Sequence, residues 1–236
     1  MDAIRIEGLT KCYKDTVAVD RLDLTVTKGE LISLLGVNGA GKTTTIKMLT
    51  GLTRPTSGDA FLNGVSIRDA AVKGMIAVSP QETAVARGLT VRENLELICG
   101  IYGFSKEKTR EKTAELLRRF DLQAEKKAGK LSGGGQRRLS IAMALISEPE
   151  ILFLDEPTLG LDVLARSELW DLIRVLKGQI TIVLTTHYME EAEALSDRIA
   201  ILKDGRLLLC DTAPHLMERT GTDRFEQAFI RIVKGE

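Results

Sequence analysis

Cysteines and long apolar runs are scarce in this sequence, and an excess of either charge is absent. The three cysteines, Cys12, Cys99 and Cys210, are widely spaced, odd in number and without a CxxC pair, so we expect reduced thiols in a cytosolic protein. No apolar run approaches the ~20 residues that span a bilayer, and we expect neither a secretory signal nor a membrane span. If the protein serves a membrane, another chain must supply the spanning part.

The charges balance, because lysine and arginine number 33 and aspartate and glutamate also number 33. A dedicated nucleic-acid-binding protein usually carries a basic excess, so we expect no nucleic-acid partner, although a local basic patch is compatible with the balanced total. Aromatic residues are few, at 4%, while the rest of the composition lies close to the globular average. The 236 residues suffice for one large α/β domain or for a domain with an inserted subdomain.

The first part of the chain carries mostly strand patterns. Residues 3–7 and 22–26 alternate as half-buried strands do, whereas 31–35 and 74–80 are continuous apolar runs typical of buried parallel strands. Proline and glycine signals surround a further short strand within 53–64, and a helical pattern directly follows the Gly-rich segment after residue 35.

The pattern becomes helical between about residues 85 and 150 and then returns to strand–helix alternation. Such alternation predicts a mostly parallel sheet flanked by helices, with a helical subdomain inserted into it. We therefore expect one domain over 1–236. Its parts would be a β core at 1–84 and 151–212, the helical subdomain at 85–150 and a short helical tail at 213–236.

The tail places Phe225, Phe229, Ile232 and Val233 on one helical face. This face either docks a partner or packs back on its own domain, and general patterning favours the second.

The segment GVNGAGKTTT, residues 36–45, contains the full pattern G-x-x-x-x-G-K-[ST] between a buried strand and a helix. In that context glycines let backbone N–H groups turn towards phosphates, and the helix N-terminus adds its positive dipole end. An ordinary strand-to-helix turn is the alternative, but the complete match and its context disfavour it.

The candidate phosphate-binding residues are Gly36, Asn38, Gly39, Ala40, Gly41, Lys42, Thr43 and Thr44. Of these, Lys42 suits the β- and γ-phosphates, and the Thr43 hydroxyl suits Mg²⁺. Nucleotide kinases, switches and motors all share this loop, so it does not decide the reaction.

Two acids at the end of the strand ILFLD favour hydrolysis over phosphate transfer to a metabolite. Asp155 is suited to hold Mg²⁺, and Glu156 is then free to polarise a water for attack on the γ-phosphate. His187 follows the strand TIVLTT and could contact the γ-phosphate, although a lone histidine is as often structural. Gln81, after MIAVS, could touch Mg²⁺ or the attacking water, although by itself it would be an ordinary loop residue.

A second Gly-rich element, LSGGG at 131–135, precedes a helix with a basic start. It is another helix N-terminus able to bind an anion. One nucleotide does not need two separate phosphate sites within one chain. A dimer in which this element closes over the nucleotide of the other subunit would explain both.

Together these motifs resemble the ATP-binding cassette (ABC) ATPases, the nucleotide-binding subunits of ABC transporters. The matching elements are GVNGAGKTT as Walker A, Gln81 as the Q-loop, LSGGG as the signature, ILFLDE as Walker B, LGLD at 159–162 as the D-loop and His187 as the switch histidine. The resemblance covers nearly the whole chain and implies an ABC ATPase fold with an antiparallel N-terminal β portion. GLD and THYMEEAEALSDRIAIL are similar to the exporter branch for drugs, antibiotics, sodium or polysaccharides.

The resemblance also implies roles that spacing could not show. Tyr13 would stack on adenine, and Asp162 would connect the two sites across a dimer. Ser132, Gly133 and Gly134 would contact ATP held by the opposite subunit. Residues near 82–104 would receive a helix of a separate membrane permease at the cytoplasmic face. The expected partners are that permease and a second cassette, identical or paired, with ATP and Mg²⁺ as ligands.

One position departs from the family pattern, because Gly135 replaces the usual signature glutamine and Gln136 comes one place later. We expect the trans contacts of the serine and first glycines to survive. The alternatives are a non-transport cassette acting on DNA or ribosomes, a P-loop kinase, and an inactive cassette used for binding. The neutral charge opposes the first alternative, and the LSGGG element opposes the second. The third is opposed by the intact Lys42, Asp155, Glu156 and His187. The sequence does not identify the transported substrate.

Overall fold

The computed structural model describes residues 1–235, and this part of the chain forms ten β-strands and eight α-helices. The strands are β1 (Asp2–Tyr13), β2 (Thr16–Thr27), β3 (Leu31–Leu35), β4 (Ser57–Leu62), β5 (Val65–Ser66), β6 (Ile76–Ser79), β7 (Ile151–Asp155), β8 (Thr181–Thr186), β9 (Arg198–Lys203) and β10 (Arg206–Asp211). The helices are α1 (Lys42–Leu49), α2 (Val91–Ile101), α3 (Lys106–Arg119), α4 (Gly133–Ala144), α5 (Val163–Leu176), α6 (Met189–Leu195), α7 (Ala213–Thr220) and α8 (Phe225–Lys234). Short 3₁₀ turns occupy Ala70–Gly74, Ala128–Lys130 and Leu145–Ser147.

The strands form two sheets. The core sheet has the order β10-β9-β3-β8-β7-β6, in which every neighbouring pair is parallel except β10 with β9. The second sheet, β2-β1-β4-β5, is antiparallel throughout. The α/β fold with a mostly parallel core and an antiparallel N-terminal portion is therefore confirmed.

Burial along the strands follows from their place in the sheets. Every residue of β3, β7 and β8 is buried, because helices or the second sheet cover both faces of the core sheet. In β2 the buried positions alternate with exposed ones, as expected for a strand with one wet face. The sequence patterns for these strands are confirmed.

The core sheet separates two large apolar clusters. On one face, Ile32, Leu34 and Phe153 pack with α1 and the antiparallel sheet. On the other face, Leu152, Leu154 and Leu184 pack with α2, α4 and α5. Because successive strand residues point to opposite faces, the short apolar strands serve both clusters at once.

Helices α2, α3 and α4 lie between β6 and β7 in the sequence, although these two strands are hydrogen-bonded neighbours. Side chains fix where the helices begin. Thr90 and Glu93 form a reciprocal capping box at α2, and Ser105 caps α3. The helical block thus begins and ends at one side of the core sheet.

The C-terminal helix α8 packs on its own domain. Phe225 and Phe229 are buried in a third cluster with Leu35 and Ile201 of the core sheet, and Ile232 and Val233 pack against it. The second of the two expectations for the tail is therefore confirmed. The preceding helix α7, capped by Thr212, was not resolved as a separate element by the sequence pattern.

Candidate nucleotide-binding site

Four parallel strands deliver the candidate residues to one edge of the core sheet. The carboxyl ends of β3, β8, β7 and β6 lie side by side there, in the order that the sheet sets. The Gly-rich loop follows β3, His187 follows β8, Asp155 ends β7 and Gln81 lies just beyond β6. This edge is where open α/β sheets bind ligands.

The loop after β3 curls around the side chain of Lys42. The Lys42 ammonium donates to the carbonyl oxygens of Gly36 at 2.7 Å and Val37 at 3.2 Å. It is therefore held inside the loop, with a side chain only 5% exposed. A cation fixed at the start of a helix strengthens the positive field of that helix N-terminus.

Two glycines of the loop are required by geometry. Gly41 has φ +96°, and a Cβ there would lie 2.6 Å from the Ala18 carbonyl oxygen. A Cβ at Gly36 would lie 2.4 Å from the Leu202 carbonyl oxygen. Side chains at either position would collide with neighbouring backbone, so the close packing of the loop depends on both.

Asp155 is oriented by two hydroxyl groups. Thr43 Oγ1 donates to Asp155 Oδ1 at 3.1 Å, and Thr185 Oγ1 donates to the same oxygen at 2.5 Å. The helix after the phosphate loop, strand β7 and strand β8 therefore meet at one carboxylate. Sequence reasoning missed Thr185, whose only signal was a polar residue at the end of a buried strand.

Glu156 lies at the centre of the charged groups. Its backbone is in the left-handed region at φ +46°, and its N–H donates to Thr185, which holds this uncommon conformation in place. Its Oε1 is 3.5 Å from Lys42 Nζ, and its Oε2 is 3.1 Å from His187 Nδ1. The turn after β7 thus points this carboxylate into the same site as Asp155.

A cleft of about 600 Å³ opens above these residues. Asn38, Gly39, Ala40, Gly41, Lys42, Thr43, Thr44, Gln81, Glu156 and His187 line it, and Tyr13 lies at its border with a half-exposed ring. The Lys11 ammonium is 4.9 Å from the Tyr13 ring centroid. The structure therefore brings together almost all of the sequence-predicted site residues, with Gly36 and Asp155 directly beneath them.

The LSGGG turn does not line this cleft. Ser132 caps α4 by accepting from Gly135 N–H at 3.2 Å. Cβ atoms built at Gly133 and Gly134 would meet Leu161 and Ala165, so the turn lies against the D-loop and the start of α5. In that neighbouring segment, Asp162 caps α5 by accepting from Ala165 N–H at 2.9 Å.

Gln136 does not take the place of the missing signature glutamine. Its amide nitrogen donates back to the Leu131 carbonyl at 3.2 Å, so the side chain is occupied within its own turn. Gly135 is buried, and a Cβ there would approach Leu131 Cβ to 3.2 Å. A side chain at position 135 would therefore require Leu131 to shift.

Two further buried charges lie behind the cleft and were missed by sequence reasoning. Arg137 of α4 donates to the backbone next to Gln81. Glu191 of α6 accepts from the Trp170 indole at 3.1 Å. Burial raises the pKa of Glu191, and the hydrogen bond from Trp170 opposes this. Neither residue stood out in the sequence, because Arg137 is followed by Arg138 and Glu191 follows Glu190.

The fold and this arrangement of loop, carboxylates and histidine define a P-loop nucleotide-binding protein. The sequence family described as ABC transporter matches residues 19–159, and the chain belongs to this family.

Curated and solved proteins agree with that membership. The daunorubicin resistance ATP-binding protein DrrA3 of Streptomyces coeruleorubidus is 44% identical over 229 residues, which cover 95% of this chain and 72% of the relative. A solved ATP-binding subunit of an ABC transporter is 29% identical with a TM-score of 0.86, covering 98% of this chain and 99% of its own. A dimeric post-hydrolysis structure of the ATP-binding cassette MJ0796, bound to ADP and Pi, is also 29% identical, with a TM-score of 0.79 and coverage of 89% and 98%.

The chain is accordingly an ATP-binding and ATP-hydrolysing subunit of an ABC transporter, as its motifs predict. Among residues 1–235, no helix has the length and apolar character needed to cross a bilayer. In the same range Cys12, Cys99 and Cys210 are free thiols.

Proposed function

We propose that two cassettes close around ATP bound in the cleft, and that the cycle of closure, hydrolysis and opening drives export through a separate membrane permease. The observation that carries this proposal is that the motifs lie at two separate places on the chain. The loop, carboxylates, glutamine and histidine share one cleft, whereas the LSGGG turn faces elsewhere on the same chain. A second cassette therefore supplies the LSGGG turn that closes the cleft over ATP.

The cleft residues suit a nucleoside triphosphate from base to γ-phosphate. Tyr13 offers an exposed ring face at the border, on which adenine stacks. The N–H groups of residues 39–44 bind the phosphates at the start of α1, and Lys42 neutralises the charge on the β- and γ-phosphates. Gly36 and Asn38 shape the loop that presents these donors.

Mg²⁺ fits beside the phosphates. Thr43 and Asp155 already place hard oxygen donors within hydrogen-bonding distance of one another, and Gln81 lines the same cleft. A magnesium ion needs only one or two protein oxygens when phosphates and water complete its shell. When bound, Mg²⁺ offsets negative charge on the β- and γ-phosphate oxygens. We assign Thr43, Asp155 and Gln81 to this ion.

Glu156 acts as the general base. Its carboxylate lies between Lys42 and His187, at the end of the cleft where a γ-phosphate meets water. His187 holds the second carboxylate oxygen and is placed to contact the γ-phosphate. Gln81, which lines the same cleft, orients the attacking water. Lys42 stabilises the charge that develops on the transferred phosphoryl group.

The dimer places the LSGGG turn of each subunit over the ATP of the other. Ser132, Gly133 and Gly134 sit at the N-terminus of the twelve-residue helix α4, where N–H groups and the helix dipole favour an anion. Because ATP then contacts both subunits, its binding energy favours the closed dimer over separate cassettes. The relative described as a dimer with ADP and Pi supports this arrangement.

A separate permease completes the transporter at the cytoplasmic face of the membrane. An apolar groove of about 380 Å³ lies between β6 and the helical block, with Ala84, Ile98, Ile101 and Tyr102 along it. Ile101 and Tyr102 are exposed large apolar residues, as expected at a contact with another chain.

We propose residues 85–150 as the subdomain that bears this groove, 1–84 and 151–212 as the core, and 213–236 as the tail. The daunorubicin-resistance relative supports export as the direction and a drug-like compound as the cargo.

Glu156→Gln tests the proposal. The variant keeps the packing of the side chain and loses its basicity, so we expect retained ATP binding with turnover reduced ~100-fold or more. Light scattering should detect an ATP-dependent dimer that ADP does not support. The matched control is Glu193→Gln, an exposed carboxylate of α6, which should behave as the wild type. Normal turnover by Glu156→Gln contradicts the assignment of the base, and a monomer with ATP contradicts the dimer.

A further inference from the structure

Arg137 joins the helix that follows the LSGGG turn to the backbone of the Q-loop. Its Nη1 donates to the Pro80 carbonyl at 2.6 Å, and its Nη2 donates to the Gln81 carbonyl at 2.7 Å. The residue is only 4% exposed. A planar guanidinium can hold two successive carbonyl oxygens at once, and such charged hydrogen bonds are stronger than neutral ones.

A second, separate contact joins α4 to β6 near Arg137. One turn further along α4, the Ser140 hydroxyl is 3.0 Å from the Ser79 hydroxyl at the end of β6, so two residues of one helical face contact one strand end. Burial lowers the pKa of Arg137, while the charges of Asp155 and Glu191 oppose this effect. The guanidinium thus holds the backbone at Gln81 and is also influenced by the charge of Asp155 at the end of β7.

A purely structural role does not account for an arginine here. A buried charge carries a desolvation cost, and well-packed apolar residues usually stabilise such a place at least as well. The guanidinium provides a geometric effect that an apolar side chain cannot. It fixes the carbonyls of Pro80 and Gln81, and with them the direction in which the Gln81 side chain leaves the backbone between them. Gln81 lines the nucleotide cleft.

We propose that Arg137 is a positioning residue for ATP hydrolysis, which sets the Gln81 backbone and makes the Gln81 side chain follow the position of α4. This inference rests on the proposed function of Gln81 in the cleft. When the LSGGG turn at the start of α4 engages ATP of the other subunit, a shift of α4 moves the two carbonyls with it. The signature element and the water-orienting glutamine are thereby linked within one subunit.

A double-mutant cycle between Arg137 and Gln81 tests the link. Arg137→Lys keeps the charge on a shorter side chain but loses the planar fork whose two nitrogens each bind one carbonyl, so we expect kcat to fall about tenfold, as for loss of one charged hydrogen bond, with KM for ATP changed less than about threefold. Gln81→Ala should also lower kcat. In the Gln81→Ala background, Arg137→Lys should change kcat less than about twofold, because the side chain that it positions is gone.

Ser140→Ala is the matched control, since it removes the neighbouring buried contact between α4 and β6 without touching the Gln81 carbonyl. It should lower the melting temperature as Arg137→Lys does and leave kcat within about twofold of the wild type. If Arg137→Lys does not fold, Arg137→Met enters the same cycle, because an apolar stem replaces the buried charge.

An unchanged kcat in Gln81→Ala would be a failure of the proposed function of Gln81, on which this inference rests. With that role intact, additive effects of the two substitutions on kcat overturn the proposal, as does an unchanged kcat in Arg137→Lys. These outcomes are distinct from a failure of the proposed function. If Glu156→Gln abolishes turnover and the cycle is additive, the catalytic assignment stands and only the link between Arg137 and Gln81 is lost.

Discussion

Lys42 Nζ lies 3.5 Å from Glu156 Oε1, and both side chains are almost completely buried. The proposed phosphate-binding cation and the proposed general base thus contact one another at the floor of the cleft. His187 holds the other oxygen of the same carboxylate at 3.1 Å. Phosphate oxygens compete with Glu156 for Lys42, so we expect ATP binding to loosen this ion pair and free the carboxylate for water.

Lys42→Ala should weaken ATP binding or abolish hydrolysis. The substitution removes the cation from the phosphates and leaves the buried Glu156 carboxylate with one partner fewer, so a fall in kcat/KM of ~100-fold or more is expected. Calorimetric titration with ATP and steady-state kinetics measure the two effects. Lys47→Ala, on the exposed side of the same helix, is the control, and kinetics of Lys42→Ala equal to those of Lys47→Ala would remove the lysine from the site.

Tyr13→Ala should raise KM for ATP about tenfold while kcat changes little, because stacking of a base on an aromatic ring is lost and the reacting atoms are untouched. Tyr13→Phe retains the ring and should keep the wild-type KM. Competition with GTP adds a second readout, since stacking tolerates either purine. An unchanged KM in Tyr13→Ala excludes the stacking role.

Ser132→Arg should block closure of the dimer. In the Glu156→Gln background a bulky cation at the LSGGG turn prevents contact with ATP of the other subunit, and light scattering with ATP should then show a monomer. Ser105→Arg is the matched control, because Ser105 caps α3 as Ser132 caps α4 but lies outside the signature turn. A dimer that forms equally in both variants contradicts the trans site.

Glu191→Gln should stabilise the fold at alkaline pH more than at acidic pH. Burial raises the pKa of Glu191 in the folded state, so the stability of the wild type falls as pH rises from the unfolded value of ~4.3 through the folded pKa. The neutral amide removes that loss and still accepts from the Trp170 indole.

Urea unfolding followed by the fluorescence of Trp170, the single tryptophan, measures this at pH 8 and pH 5. The free energy of unfolding of the variant relative to the wild type should be greater at pH 8. Glu193→Gln, on the exposed face of the same helix, should show no such pH dependence. An equal loss of stability at both pH values contradicts the expectation.

Local patterns predicted the elements of the fold because the relevant signals lie within a few residues. The apolar run 31–35, the alternation at 22–26 and the glycines before Lys42 each specify a backbone conformation on their own. Since strands of this kind end at a shared edge, the sequence also indicated that Asp155, Gln81 and His187 would meet.

The contacts that orient those residues depend on distant parts of the chain. Thr185 donates to Asp155 across 30 positions, and Arg137 reaches the Gln81 carbonyl across 56. No periodic pattern in the sequence indicates either contact. The first is set by the register of β7 with β8, and the second by the packing of α4 on β6. The contact of Gln136 with Leu131 is local, across 5 positions, but the backbone conformation of a turn with three glycines sets it, and no residue pattern indicated it.

The helical block leaves the core sheet after β6, the outermost strand, and rejoins it at β7, the next strand inwards. Through the chain connections, a rotation of this block is therefore expected to act directly on β6 and β7, whereas the phosphate loop and the histidine follow β3 and β8. We expect the helical block to rotate while the nucleotide stays bound to the phosphate loop.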